Sequence, residues 1–178
     1  MTQLRQFFAA ALILLPLSFS KAIAADVVIN AIDGVAMDGF DVVAYFRDER
    51  PRKGNDQHVV EYKGVTWKFH SAENAQDFRN NPTAFEPLYN GWCAYAVSEG
   101  YAAEVDFING WSILDGKLYL NWNASVSKSF RAEQQRRRPK ADKNWPGVHD
   151  RLVDGSLEIS RHKVVFGVGI KHPQELSE

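Results

Sequence analysis

The side chains best suited to chemistry form a small set of soft and borderline metal donors. The chain has a single cysteine, Cys93, and its central part also contains Met37, His58 and His70. A soft cation such as Cu(I) prefers thiolate and thioether ligands and tolerates imidazole. A copper site with Cys93 as thiolate anchor, His70 as second ligand and His58 as a further one is therefore chemically reasonable.

Each of these residues also has a structural interpretation. Free cysteine is among the most buried residue types, so Cys93 fits an inert core position equally well. His70 fits a histidine at a strand end, and His58 fits a surface strand position. One cysteine cannot form an intramolecular disulfide or a four-thiolate zinc site. A redox role for the Cys93 thiol, through a mixed disulfide, is a third hypothesis.

The composition describes an ordinary globular domain. Of the 178 residues, 45% are hydrophobic and 24% are charged, which is sufficient for one core and argues against disorder. The 21 basic and 22 acidic side chains give a net charge of -1, so we expect no nucleic-acid partner. The sequence contains no nucleophile elbow, metalloprotease motif, phosphate-binding glycine loop or dinucleotide fingerprint. We therefore predict a protein that is not an enzyme.

The first 24 residues have the pattern of a removable signal peptide. Arg5 precedes an apolar stretch at residues 7–19, and Ala22 and Ala24 occupy the small positions of a cleavage site. The apolar stretch is shorter than the roughly 20 residues that a membrane-spanning helix needs. We expect a mature protein that begins at Ala25, has no membrane span, and is periplasmic or secreted.

Two β-hairpins are the clearest elements. Lys63–Gly64 joins two β-rich segments, and Asp115–Gly116 is the strongest hairpin signal in the chain. The strands predicted for the two hairpins are residues 58–62, 65–69, 111–114 and 117–122, and a further short strand is predicted at residues 27–32.

Short helices surround these hairpins. Ser71 is typical of an N-cap for a helix at residues 72–79, and Pro82 suits the first turn of a short helix that ends at Phe85. A polar helix at residues 125–138 should end at Pro139, which places the arginine run 136–138 in its last turn. Residues 148–178 should add one or two strands and then fray. The predicted fold class is α+β: a small single domain with two β-hairpins and several short helices around an aromatic core.

A series of short motifs follows the predicted leader in a fixed order. They are GFDVVAYF at 39–46, YKGVTWKF at 62–69, SAEN at 71–74, Phe78, Asn81–Pro82, YNGWCA at 89–94, DGKLYLN at 115–121 and NWP at 144–146. Together they resemble the YHS-domain family, specifically its exported single-domain branch, over about residues 28–147. Members of that family occur inside copper-transporting ATPases, in some phenol hydroxylases and as exported proteins. The resemblance implies metal binding, with copper as the suspected ion.

The resemblance also places individual residues. The tyrosine, histidine and serine that name the family match Tyr62, His58 and Ser71. Three cysteine places of the ATPase-type domain fall on Ala44, His70 and Asn74, of which only His70 keeps a good donor for a soft metal. Cys93 matches a segment typical of the exported branch.

Two functional hypotheses follow. The first is an exported, non-enzymatic YHS-domain protein that binds copper in envelope metal handling through Cys93, His70 and His58. The alternative is a metal-free module that binds a small ligand or a protein and keeps Cys93 buried. Both divide the chain into a signal peptide at residues 1–24, a YHS-like domain at 25–147 and a C-terminal extension at 148–178.

Overall fold

The structure is a computed structural model that describes residues 28–161. The predicted signal peptide and the last 17 residues lie outside this range, and with them most of the strands predicted for the C-terminal extension. Among residues 28–161, no helix combines the length and the apolar character that crossing a membrane requires.

The larger sheet has four strands, β1 Ala31–Ile32, β2 Val35–Ala36, β3 Asn55–Tyr62 and β4 Val65–Phe69, in the order β1-β2-β4-β3. The two short strands pair antiparallel with each other, β2 runs parallel to β4, and β3 pairs antiparallel with β4. The predicted hairpin is confirmed, with Tyr62 opposite Val65 and a turn in which Lys63 and Gly64 both have positive φ.

The second predicted hairpin forms a sheet of its own. Strand β5 (Trp111–Leu114) pairs antiparallel with β6 (Lys117–Leu120), which ends two residues earlier than predicted. Asp115 and Gly116 have φ of 50° and 70°. Positive φ at both central positions matches the right-handed twist of the two strands, which explains why this dipeptide turns the chain.

Six α-helices complete the described fold. The hydroxyl of Ser71 accepts a hydrogen bond from Asn74 N at 3.1 Å, so the predicted N-cap is confirmed, and Pro82 opens the next helix as expected. The helices are α1 Ala44–Arg47, α2 Ala72–Asn80, α3 Pro82–Phe85, α4 Ala94–Ser98, α5 Ala124–Ala132 and α6 Gln134–Val153.

The prediction that Pro139 ends a helix is wrong. Helix α5 ends earlier, at Ala132, and α6 runs through both Pro139 and Pro146. Each proline removes one helical hydrogen bond, but tertiary contacts hold the helix in place. Ala141 is buried against α4, and Asn144 Nδ2 donates to the Ser98 carbonyl at 3.0 Å. The predicted domain boundary at residue 147 therefore falls inside a packed helix.

The core is aromatic, as predicted, and has two parts. One lies between the larger sheet and α2, where the Phe78 ring is 4.9 Å from that of Trp67 and 5.0 Å from that of Phe69. The other lies around β6 and α5, where the rings of Tyr119 and Phe130 are 5.2 Å apart. These two clusters connect the sheets and helices into one small α+β domain, which confirms the predicted fold class.

Candidate functional site

Cys93 lies in the core, immediately before α4. Its side chain is 2% exposed. Its backbone N–H donates to the Ala103 carbonyl at 3.1 Å, and its carbonyl accepts from Val97 N at 2.9 Å. The residue therefore joins the start of α4 to the extended segment at residues 102–106.

The environment of the Cys93 thiol favours its protonated form. Burial raises the pKa of the thiol above its ordinary value, and the backbone groups of Ala96, Trp122 and Tyr95 only partly oppose that effect. The thiolate is the form that binds metals and attacks electrophiles. A buried, protonated thiol is weak in both roles.

A left-handed turn positions Cys93. Tyr89, Asn90 and Gly91 all have positive φ, between 52° and 82°. Asn30 fixes this turn, because its side-chain Nδ2 donates to the Gly91 carbonyl at 3.0 Å and its backbone N donates to Asn90 O at 2.9 Å. A Cβ at Gly91 would lie 2.4 Å from Met37 Sδ. The thioether that the sequence offered as a soft donor thus packs against the glycine of this turn.

The two predicted histidine ligands lie in other environments. His70 follows β4 with an exposed side chain, and its backbone carbonyl accepts from Asn55 Nδ2 at 3.3 Å. His58 is half-buried on β3, where the pairing with β4 shifts register. Among residues 28–161, no group of three or more His, Cys, Asp and Glu side chains could hold a metal ion.

A buried carboxylate, Asp41, organises a cluster that the ligand search in the sequence missed. Asp41 is 0% exposed. Its Oδ1 accepts from Val43 N at 2.8 Å and from Ala44 N at 3.2 Å. Its Oδ2 accepts from His70 N at 2.8 Å and from Asn74 Nδ2 at 2.7 Å. We call these five residues the Asp41 cluster.

The Asp41 cluster contains all three places that the resemblance assigned to thiolates. Ala44, His70 and Asn74 do meet in space, each donating an N–H to the same carboxylate. A carboxylate offers about four lone-pair directions, and here four donors use them. The described contacts therefore make Asp41 a structural tie between the turn before α1, the end of β4 and α2.

Asp106 is a second buried carboxylate in the described residues. Asp106 is 2% exposed, and its Oδ1 accepts from Ile108 N and Asn109 N at 2.9 and 3.0 Å. The Tyr45 hydroxyl donates to the Phe107 carbonyl at 2.6 Å. Burial raises the pKa of Tyr45 well above its ordinary value, and the charges of Asp106 and then Asp41 raise it further. The phenol is therefore held as a hydrogen-bond donor.

The local hydrogen bonds of the Asp41 cluster could be predicted from the sequence. Asp is a preferred capping residue, and Asp41 stands two and three positions before the N–H groups that it accepts. Its bonds to His70 and Asn74 span 29 and 33 residues. No local pattern predicts contacts of that range.

The arginine run at residues 136–138 forms ion pairs near the start of α6 and does not lie at a helix C-terminus. Arg137, 3% exposed, lies one turn into α6, so the predicted position in a last turn is wrong. Its Nη1 is 2.8 Å from Glu99 Oε1, and its guanidinium lies 3.5 Å from the centre of the Tyr95 ring. Its Nε is 2.8 Å from Glu133 Oε2, an ion pair without hydrogen-bond alignment. Hydrogen bonds from Lys140 and then Arg137 lower the pKa of Glu99.

The neighbours of Arg137 in the run are paired as well. Arg136 pairs with Glu133, and Arg138 Nη1 lies 2.6 Å from Asp115 Oδ2. The run therefore fastens α6 to α4 and to the turn between β5 and β6. Each arginine of the run thus has an acidic partner within the described residues.

Comparison with protein-family models, with curated proteins and with solved structures finds no match to the chain. The likeness to the YHS-domain family thus stays a prediction carried by the motifs of the sequence. The candidate site is defined by the chain's own geometry: a buried thiol beside α4, and a saturated carboxylate at the places where the resemblance would put metal ligands.

Proposed function

We propose that the chain is an exported, non-enzymatic binding module of the YHS type that keeps Cys93 as a core residue and recognises a small ligand or a protein. The observation that carries this choice is the burial of Cys93, 2% exposed with a raised thiol pKa. Of the two hypotheses from the sequence, the metal-free module needs no change in this environment. The copper hypothesis requires the thiol to lose its proton and reach a second ligand.

The positions of the other predicted ligands support the same choice. His70 presents its side chain to solvent and uses its backbone N–H to hold Asp41. A copper site that joins the two would need the exposed imidazole of His70 to reach the buried thiol of Cys93. A closely packed interior has few voids that would admit it.

Anaerobic titration of the reduced protein with Cu(I), against a competing chelator, tests the proposal. The wild type is compared with Cys93→Ser, His70→Ala and His58→Ala. We expect the four proteins to compete equally weakly with the chelator. Stoichiometric binding tighter than the chelator, lost in both Cys93→Ser and His70→Ala, would establish the copper site and reject the proposal.

Alkylation of Cys93 gives an independent measurement. A thiol that is buried in the native state reacts only when the structure opens, so we expect slow labelling that accelerates with denaturant. Added Cu(I) should leave the native rate unchanged. A rapid native reaction that the metal blocks would place Cys93 on an accessible metal site.

The signal-peptide pattern at the start of the chain supports the proposal that the protein is exported. Residues 1–24 match a signal peptide with small residues at the cleavage positions. We expect the mature N-terminus of the protein, recovered from an extracytoplasmic fraction, to be Ala25. Recovery of the full-length chain in the cytoplasm alone would contradict this.

A further inference from the structure

A short backbone edge beside Cys93 is paired with a later segment of the same chain. On one side of this edge, residues 102–104, the Ala103 carbonyl accepts from Cys93 N. On the other side, Ser160 N donates to Ala102 O at 3.0 Å, and Ser160 O accepts from Glu104 N at 3.0 Å. These two bonds make a parallel β-bridge between Ala103 and Ser160. We call residues 102–104 the docking edge and residues 157–161 the strap.

The contacts of the strap resemble those of a peptide that pairs with a backbone edge. Leu157 and Ile159 alternate with polar residues and pack, partly buried, against the cluster that contains Ala94, Val97 and Ala102. Arg161 Nη1 lies 3.2 Å from Glu104 Oε1. Backbone bonds to an edge, with alternate apolar side chains against it, are how sheets bind added strands.

The strap is less buried than the helix before it: none of residues 157–161 is fully buried, whereas α6 has four buried residues, and the Leu157 N–H bonds to the Arg151 carbonyl at 3.0 Å. Asp154, Gly155 and Ser156, which connect it to α6, are exposed, and Gly155 has φ of 72°. The ion pair of Arg161 with Glu104 is solvent-exposed, so its contribution is small. Segments with few buried contacts and exposed hydrogen bonds open locally at low free energy.

We propose that residues 102–104 are a peptide-docking edge that the strap occupies in cis, and that the partner is a protein segment in extended conformation. That segment would carry apolar residues at alternate positions followed by a basic residue that faces Glu104. This inference rests on the proposed function, since it names the class of partner that the module recognises. The strap then acts as an internal competitor that keeps the edge covered until such a segment replaces it.

The test uses the full chain and a synthetic probe. Ser160→Pro removes the N–H that bonds to Ala102, whereas the matched control Ser160→Ala retains it. Ile159→Ser is a second way to release the strap, because it removes an apolar anchor and keeps the backbone bonds. The probe is a fluorescein-labelled peptide with the sequence of residues 155–161, GSLEISR, and its binding is followed by fluorescence anisotropy.

We expect the probe to bind Ser160→Pro and Ile159→Ser saturably, at least about tenfold more tightly than Ser160→Ala or the wild type, because a tethered competitor acts at high effective concentration. A probe with aspartate in place of the isoleucine should not bind. In the Ser160→Pro background, Glu104→Lys should shift the preference to a probe that ends in glutamate.

Two results would overturn the docking edge. One is a folded Ser160→Pro or Ile159→Ser protein that binds the probe and its aspartate version with the same affinity, or binds neither. The other is cooperative loss of the whole fold in both variants, because the strap would then be an integral part of the core. Absence of probe binding, without Cys93-dependent copper binding, rejects the edge and leaves the metal-free module in place. Probe binding together with a Cys93 copper site rejects the metal-free module and keeps the edge.

Discussion

The Asp41 cluster and the surroundings of Cys93 are both buried, but the polar group of each residue is accommodated in the opposite way. Asp41 brings a carboxylate into the interior and is matched by four N–H donors from three parts of the chain. Cys93 brings a weakly polar thiol into an apolar cluster and keeps its proton. The residue that was predicted to anchor a metal is thus buried in an apolar cluster, whereas Asp41, which gathers four donors, was not among the predicted ligands.

Among the variants that test this comparison, the one that removes the Asp41 carboxylate should lower the free energy of unfolding most. Asp41→Ala leaves the N–H groups of Val43, Ala44 and His70 and the Asn74 amide without their acceptor. An unsatisfied buried polar group costs about 1–3 kcal/mol, and the costs are not fully additive, so we expect a loss of about 3–5 kcal/mol in the free energy of unfolding. Urea denaturation measures it.

The matched control for Asp41→Ala is Asp150→Ala, since Asp150 is an exposed aspartate on α6. We expect that variant to change the free energy of unfolding by less than about 0.5 kcal/mol. A loss below about 1 kcal/mol in Asp41→Ala would show that the carboxylate does not organise its surroundings.

The turn before Cys93 should be the next most sensitive feature. Gly91→Ala combines a φ of 82° with a Cβ placed 2.4 Å from Met37 Sδ. Left-handed backbone costs a non-glycine residue about 1–2 kcal/mol, and overpacking adds about 1–3 kcal/mol. The expected loss is about 2–4 kcal/mol, measured by thermal or urea unfolding.

Gly64→Ala separates these two contributions. Gly64 also has positive φ, at 76°, but nothing lies within 4 Å of a Cβ built there. It should therefore show the backbone cost alone. Equal losses in the two variants would mean that contact with Met37 does not position the chain before Cys93.

Ionisation of the Cys93 thiol should contribute to the pH dependence of the free energy of unfolding. Burial raises its pKa in the folded state, so on raising the pH the unfolded chain releases this proton first. The contribution of the thiol is complete below the unfolded pKa of about 8.5 and is lost as the pH rises from there toward the folded pKa. In that window the free energy of unfolding should fall by up to about 1.4 kcal/mol per pH unit.

Cys93→Ala should remove this part of the slope between about pH 8.5 and 9.5 and leave the profile below pH 8 parallel to that of the wild type. Urea unfolding at several pH values provides the comparison. An unchanged slope in the variant would mean that the thiol already titrates in the folded protein, as expected for an accessible site.

The predictions that succeeded and those that failed differ in the range of the interactions involved. The Lys63–Gly64 and Asp115–Gly116 turns and the Ser71 cap depend on contacts within a few residues, and each is visible in the sequence. Helix α6 passes through Pro139 because distant residues of α4 hold it. The Asp41 cluster depends on contacts across 29 and 33 residues, which composition and periodicity do not encode.

The smallest expected change in stability is that of His70→Ala, and the contrast is with His70→Pro at the same position. Its side chain is exposed, so His70→Ala should change the free energy of unfolding by less than about 0.5 kcal/mol. Its backbone N–H donates to Asp41, so His70→Pro, which removes that donor at the end of β4, should destabilise the fold by about 1–3 kcal/mol. Urea unfolding of the two variants under identical conditions makes the comparison. If His70→Ala is as damaging as His70→Pro, the imidazole contributes to the stability of the fold and the backbone N–H does not account for the role of His70.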